Sequence, residues 1–345
     1  MEIKVLKVKH GDCIIIKWFT PNKDEHFMFI DSGVSASFFK LRKELEAINQ
    51  LDAFVLTHID DDHIGGFLKL CSMEQSIPIN ILKYFINTPK LIDIKKNNKK
   101  KSISQANNLV EILKKTNQFH KCSSLSFENN SALKTLVTDG LKIIVLSPNK
   151  IQLDKLKEEF HKYETVQNDS TKKSIDLGQD LVDLKKLVTY KDRIKSNIFN
   201  DSSIVLLLED NDNSILLLAD SNPIIVEQNL RKLGYNELNP LIIKYVKLSH
   251  HGSKHSISKA LLSIIKSNNY IVSTNGGYGG SKHPDRETIA KIVCNPNRDM
   301  IDKIVFWFNY RKEEIEMHNN TIIVTSDEEL EYNFECRYIN EDVLK

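Results

Sequence analysis

The stretch Thr57–Gly66, THIDDDHIGG, constrains this chain more than any other. The six residues from His58 to His63 supply two imidazoles and three carboxylates. The apolar run Ala53–Leu56 precedes them and reads as a buried strand, and a helix is expected to begin at Ile64-Gly65-Gly66. The cluster therefore belongs where a strand's carboxyl end meets a helix N-terminus, a common place for ligands in α/β folds. His58, Asp60, Asp62 and His63 on one tight loop can converge on a small volume. Their carboxylates repel one another unless a cation neutralises them, so the pattern predicts a metal. The plain alternative is a polar surface loop with incidental histidines, and the residues downstream argue against it.

Strands are expected at Ile3–Val8, Cys13–Trp18 and His26–Ile30, the last closing in Asp31-Ser32-Gly33. Asp31 either caps that turn or orients a ligand histidine. An amphipathic helix is read over Phe38–Gln50, a strand over Ile81–Ile86, a helix near Ile103–Thr116 and a strand over Leu141–Leu146. From Lys150 to about Ser196 the chain is polar, charged and helical. It reads as an insertion peripheral to an otherwise continuous fold, with Gln167–Lys173 cut first by a protease. Ile204–Leu208 and Ile215–Leu218 form a hairpin that runs into Asp220, and Pro223 starts a helix to Leu233. Tyr245–Leu248 is a strand ending in Ser249-His250-His251-Gly252, with a helix over Ser258–Ser267 behind it. Tyr270–Ser273, Lys303–Asn309 and Thr321–Val324 are further strands, and a glycine-rich loop, Asn275–Lys282, leads to His283-Pro284 and a helix from Asp285. Asp31, His58–His63, Asp220, His250–His251 and His283 thus arrive from separate elements. Together they are hard to explain as core residues, because buried charge needs pairing or a metal.

With 345 residues, 41% hydrophobic and 27% charged, the chain has material for one large domain, 1–345, with 150–196 inserted in it. A net charge of +2 neither demands nor excludes nucleic acid. The basic stretch Lys90–Lys101 is either a solvated face or a phosphate-tracking edge. Five scattered cysteines without a CxxC pair suit free thiols in a reducing compartment. The N-terminus lacks a signal-peptide layout and no run approaches the roughly 20 apolar residues of a membrane span, so a cytoplasmic location is expected.

THIDDDHIGG is similar to the HxHxDH signature of metallo-β-lactamase fold hydrolases, with Asp60 in place of the second histidine. Together with LLLADS at 216–221, KLSHHGSKHS at 247–256 and His283-Pro284, it resembles the soluble hydrolase domain of the competence protein ComEC. VKHGDCIII, FIDSG and NDSSIVLLLE fit the same branch, so the likeness covers most of residues 1–325 apart from the insertion. The resemblance implies an α/β fold, a four-layer αββα sandwich with a helical insertion, and two divalent metals, zinc or manganese. Carried over by residue, His58 and Asp60 would hold one metal and Asp62 and His63 the other. Asp220 would bridge them, and His251 and His283 would complete the set. His250 could be a ligand, a supporting group or a substrate contact. His255 is counted as exposed. Asp60 makes the site harder and more anionic, which leans towards manganese or magnesium. The glycine-rich loop is longer than the compact pattern of that branch.

The expected chemistry is phosphodiester hydrolysis, by a phosphodiesterase or nuclease, through a hydroxide activated between two metals. Asp62 would orient that nucleophile. Lys282, Ser253 and His250 are candidates to contact phosphate or protonate the leaving oxygen, and Lys282 reads equally as a solvated loop lysine. The expected partner is a nucleic acid or nucleotide, without membrane contact. A hydrolase of lactams, lactones or thioesters on the same fold remains open, as does a regulatory module with a degenerate site.

Overall fold

The computed structural model describes residues 1–74, 79–88, 101–129, 140–162, 182–278, 281–340 and 342–345. The expected protease-sensitive stretch Gln167–Lys173 and most of the basic run Lys90–Lys101 lie outside them.

Two seven-stranded sheets face each other among the described residues. The first contains β1 (Glu2–Val5), β2 (Ile14–Phe19), β3 (Glu25–Ile30), β4 (Gln50–Leu56), β5 (Asn80–Ile86) and β6 (Cys122–Ser123). The second contains β7 (Lys142–Ser147), β8 (Val205–Glu209), β9 (Ser214–Leu217), β10 (Tyr245–Lys247), β11 (Asn269–Val272), β12 (Ile304–Phe308) and β13 (Phe334–Tyr338). β14 (Val343–Leu344) returns to pair with β1 at the first sheet's edge. Otherwise each sheet follows chain order.

Strand parity sorts the side chains into layers. Leu206 and Leu208 of β8 point between the sheets, where they meet Ile14, Ile16, Met28, Val55 and Ile271. Val205 and Leu207, one residue out of phase, point the other way with Leu216, Val246 and Phe306. Helices cover both outer faces. α1 (Phe38–Glu46), α2 (Asp61–Glu74) and α3 (Lys101–Lys115) bury Leu41, Phe67 and Leu109 on the first sheet. α4 (Lys150–Lys162), α5 (Leu184–Thr189), α6 (Ile198–Asp201), α7 (Pro223–Lys232), α8 (Lys259–Ser263), α9 (Arg286–Val293), α10 (Lys312–Asn319) and α11 (Ser326–Glu331) come later in the chain. α5, α7, α8, α9 and α10 cover the second sheet through residues such as Leu187, Leu230, Leu261, Ile289 and Ile315. Three apolar cores between four layers give the αββα sandwich of the metallo-β-lactamase fold.

Four local expectations need correction. The helix from Phe38 stops at Glu46, because Gln50 already pairs with Asn80 in the first sheet. The helix after Ser258 stops at Ser263, where Ile265–Lys266 pairs with Leu241–Ile242. Thr321–Val324 is no strand: β12 is already flanked by β11 and β13, so Ile323 and Val324 are buried without a ladder. The inserted segment is not wholly peripheral either. Leu156 and Phe160 of α4 join the first outer core, and Leu184 and Leu187 of α5 join the second. Their apolar spacing was hidden among the charges of LDKLKEEF and DLKKLV. Among the described residues, no helix is long and apolar enough to cross a membrane.

Candidate metal centre

The parallel strands end level with one another. Leu217 of β9 pairs with Lys247 of β10, and Lys247 with Ile271 of β11. In the first sheet Ile30 of β3 pairs with Val55 of β4. The residues just past these strand ends therefore emerge at one edge of the sandwich: Asp31, Thr57-His58, Ala219-Asp220, His250-His251 and Ser273. Asp31, Ala219, His250 and His251 all have positive φ, at 59°, 46°, 47° and 58°. Residues with a Cβ rarely adopt that region, at a cost of about 1–3 kcal/mol each, and such strain gathers where side chains must be aimed.

α2 begins at Asp61, three residues before the sequence suggests. Asp62 and His63 thus sit on its first turn, where carboxylates favourably meet the helix dipole. The turn is clamped by Ser32, whose N–H and hydroxyl both donate to the His63 carbonyl, at 2.7 and 2.6 Å. Gly66 makes this approach possible, since a Cβ there would lie 2.1 Å from the Ser32 oxygen.

Asp31 settles into the second of its two readings. Its Oδ2 lies 2.7 Å from His63 Nδ1 and accepts the Thr57 hydroxyl at 2.7 Å, while Oδ1 accepts the Thr57 N–H. Held by Nδ1, His63 turns Nε2 inwards, 3.4 Å from Asp220 Oδ1 and 3.8 Å from Asp62 Oδ2. His58 Nε2 stands 3.9 Å from Asp220 Oδ2 and 3.8 Å from Asp60 Oδ2. His251 is held through Nδ1 by the Ser273 carbonyl at 2.8 Å, and its Nε2 lies 3.2 Å from Asp62 Oδ2.

Two sets of donor atoms converge: His58, His63 and Asp220, and then Asp62, His63 and His251. His58 Nε2, His63 Nε2 and Asp220 Oδ1 are buried without a hydrogen-bond partner among the described residues. Leaving such atoms without partners is costly, and bound divalent cations would satisfy them. Asp12, Asp31 and His63 also gather, but there Asp31 already bonds His63 and Asp12 pairs with Lys247. That third group is a brace rather than a cation site. Asp12 and Lys247 are 2% and 1% exposed, a buried ion pair that sequence reading missed. In the sequence Asp12 is one residue of VKHGDCIII and Lys247 one residue of an apolar strand, with nothing to link them.

The charges shape one another. Burial works against the ionised carboxylates, yet His63 and His251 hold Asp62 below the usual carboxylate range, and His250 and His63 do the same for Asp220. Burial likewise opposes protonation of His63, which Asp220 and Asp31 nevertheless push well above its ordinary value. His251 rises to about 9 against the same burial, chiefly through Asp12. Its neighbour His250 falls to about 4, because burial outweighs Asp220 there.

The remaining candidates lie around this centre. Asp60, half-buried, stays beside His58. His250 Nδ1 is 3.6 Å from Asp220 Oδ2. His283 lies beyond His250, ring centres 5.4 Å apart, with Nδ1 3.3 Å from Asp285 Oδ2, and it is outside both converging donor sets. Lys282 donates to the Asn319 carbonyl at 2.6 Å. His255 is half-buried rather than exposed, because Arg193 of the inserted segment comes across and its carbonyl accepts from Nδ1. His255, Ser253, His250, Asn200 and Lys195 line a cavity of about 190 Å³ beside Asp220.

Residues 7–74 match the metallo-beta-lactamase superfamily model. Members of that superfamily are in general hydrolytic metalloenzymes using divalent metals, often two. The match spans Asp12, Asp31 and the whole His58–His63 cluster. No curated protein matches. Among solved structures, a variant of the CmlA β-hydroxylase aligns over 100% of this chain and 54% of its own, at 13% identity and a TM-score of 0.41. CmlA itself, a diiron β-hydroxylase from Streptomyces venezuelae, aligns over 92% and 51%, at 10% identity and 0.37. A long-form RNase Z from yeast aligns over 78% and 37%, at 12% identity and 0.34. The chain thus spans about half the length of the CmlA chains and a smaller share of the RNase Z chain.

Proposed function

We propose that this protein is a metal-dependent hydrolase of phosphodiesters, acting on a nucleic acid or nucleotide. The observation that carries the reading is the convergence of His58 Nε2, His63 Nε2 and Asp220 Oδ1, all buried and unpaired among the described residues. His58, Asp60 and Asp220 would hold one divalent ion, and Asp62, His63 and His251 a second, with Asp220 shared. Bound there, the ions would supply Lewis acidity towards a phosphoryl oxygen and make water a stronger nucleophile. The protein's own part is positional. Asp31 fixes the His63 ring, and the Ser273 carbonyl fixes His251, so neither imidazole has to reorganise. Asp62, near both rings, can also orient the attacking water.

The cavity beside Asp220 offers a phosphoryl group hydrogen-bond donors from asparagine, serine and histidine side chains and an exposed lysine, set beside the carboxylates of Asp201, Asp220 and Asp285. At about 190 Å³ it is smaller than the roughly 300 Å³ and upward of sites that enclose a whole small molecule. One unit of a larger chain suits it better. The test is elemental analysis of the purified protein, then cleavage of single-stranded DNA, RNA, cyclic nucleotides and a bis-aryl phosphodiester with manganese, zinc or magnesium. A folded protein that takes up no added metal would sink the metal assignment. Efficient hydrolysis of a lactam or thioester, with every phosphodiester left intact, would replace the substrate class.

A further inference from the structure

The wall of the cavity next to Asp220 carries a chain of hydrogen bonds whose direction can be derived. It starts at the N-terminus of α6, where Asn197 Oδ1 accepts the Phe199 backbone N–H at 3.1 Å. A backbone N–H can only donate, so this atom of Asn197 must be the oxygen, and the amide cannot be flipped. Its Nδ2 then donates to Asn200 Oδ1 at 3.2 Å. That fixes Asn200 in turn, and its Nδ2 donates to His250 Nδ1 at 3.2 Å. A ring nitrogen that accepts carries no hydrogen, so a neutral His250 bears it on Nε2. Asp220 Oδ2, the other group facing Nδ1, is 3.6 Å away and out of hydrogen-bond reach.

The opposite edge of the ring carries Nε2. His250 lines the cavity with a third of its side chain exposed, and among the described residues no group hydrogen-bonds Nε2. The backbone is held as firmly as the ring: at φ 47° its N–H donates to the Ala219 carbonyl, directly before Asp220. We propose that Asn197 and Asn200 hold His250 as a neutral Nε2–H donor aimed at an anionic oxygen of the substrate. His250 is then neither a metal ligand nor a general base. Asn197 and Asn200 are positioning residues delivered by the segment that separates the hairpin strands from β7. A donor fixed in one tautomer stabilises an oxyanion without reorganising. The substrate class this donor suits is a phosphoryl group, whose non-bridging oxygens accept from Nε2–H while Asp220 stands beside it.

The proposal rests on the hydrolase reading for the reaction, but the donor can be tested without turnover. In the full chain with labelled ¹⁵N-histidine, loaded with diamagnetic magnesium, the signals lost in His250→Gln identify the ring. Wild type should show hydrogen on Nε2 and a pyridine-like Nδ1, and inorganic phosphate should shift the Nε2 signal. Asn200→Asp replaces the amide donor by an acceptor of nearly the same shape, so Nδ1 should gain a hydrogen while thermal melting stays cooperative. The same variant should raise KM for bis(4-nitrophenyl) phosphate about fivefold, with kcat changed less than KM. Hydrogen on Nδ1 in wild type, an Nδ1 unaltered by Asn200→Asp, or an Nε2 signal that phosphate does not move would each overturn the proposal. A phosphate-sensitive Nε2–H in a protein that cleaves no phosphodiester would instead remove the reaction class and leave the donor in place.

Discussion

The first sheet delivers its part of the centre in one stretch of six residues, His58–His63, whereas the second delivers Asp220 and His251 from two separate strands. The bracing differs too. In the first half a single carboxylate, Asp31, holds both Thr57 and the imidazole of His63. In the second half a backbone carbonyl holds His251, and the nearby carboxylate, Asp12, stands 3.6 Å off with Lys247 as its ion partner. Two carboxylates at similar places thus do different work. Asp31 orients the His63 imidazole, and Asp12 chiefly neutralises a buried lysine.

Removing each should separate the two roles, and the largest effect is expected at Asp12. Asp12→Ala leaves the Lys247 ammonium buried and alone at 1% exposure. Breaking a buried pair in this way costs about 3–5 kcal/mol, so chemical denaturation should show a fold weakened to that extent. A melting curve like that of wild type would mean that water reaches Lys247. Asp220→Asn comes next, because it serves both halves at once. Activity should fall about a hundredfold or more while the fold survives a nearly isosteric change. An unchanged rate would remove Asp220 from the centre. Asp31→Asn presents an amide where His63 Nδ1 needs an acceptor. Metal affinity should drop about 10- to 100-fold, read by competition with a chelator, and stability should change less than in Asp12→Ala. If the two variants behave alike, the contrast between the halves is wrong.

The same contrast explains what could be read from the sequence. The contiguous motif was legible because all of its histidine and aspartate side chains lie within one strand end and one helical turn, and it is also part of what the superfamily model matches. The sandwich was implied by the resemblance rather than by alternation, since β8 and β9 are continuous apolar runs whose inner and outer sides separate only in the fold. Asp12 and Lys247 were not, because each is a single charge in an apolar surrounding, and the 235-residue separation that makes them a pair exists only in three dimensions. Asn197 and Asn200 were hidden for a similar reason: their importance lies in the direction of two successive hydrogen bonds, the second of which reaches a histidine fifty residues away. The insertion misled because its apolar residues are few, though they are the ones that reach the cores.

The adjacent pair His250 and His251 sharpens the comparison through pH. In metal-free protein His251 titrates near 9 against 6.5 for a free histidine, so its proton favours the fold fully below 6.5, and that contribution is lost as pH rises towards 9. His250 titrates near 4, so unfolded chains bind its proton more readily and stability falls as pH drops from 6.5 towards 4. These two groups together favour greatest metal-free stability near 6.5. As a proposed metal ligand His251 would bind through its neutral imidazole, so metal affinity should rise with pH up to about 9 and uptake should release protons. Melting curves from pH 4 to 9, with and without metal, check both signs. A metal-free protein steadily more stable from 6.5 to 9 would contradict the protonated state of His251.

The smallest effect is expected from Lys195, which the inserted segment brings to the cavity beside Asp220. The lysine is exposed, so its attraction for a phosphate acts largely through water. Exposed charge pairs contribute about 1 kcal/mol or less, which limits the change to roughly fivefold. Lys195→Ala should therefore raise KM for a phosphodiester by no more than that, with kcat unaltered. The difference should disappear in about 0.5 M salt, where screening shortens the reach of the charge to a few ångströms. The basic run Lys95–Lys101 offers the competing source of salt dependence. If Lys195→Ala leaves the salt dependence intact and neutralising Lys95–Lys101 abolishes it, the cavity beside Asp220 is not the substrate's way in.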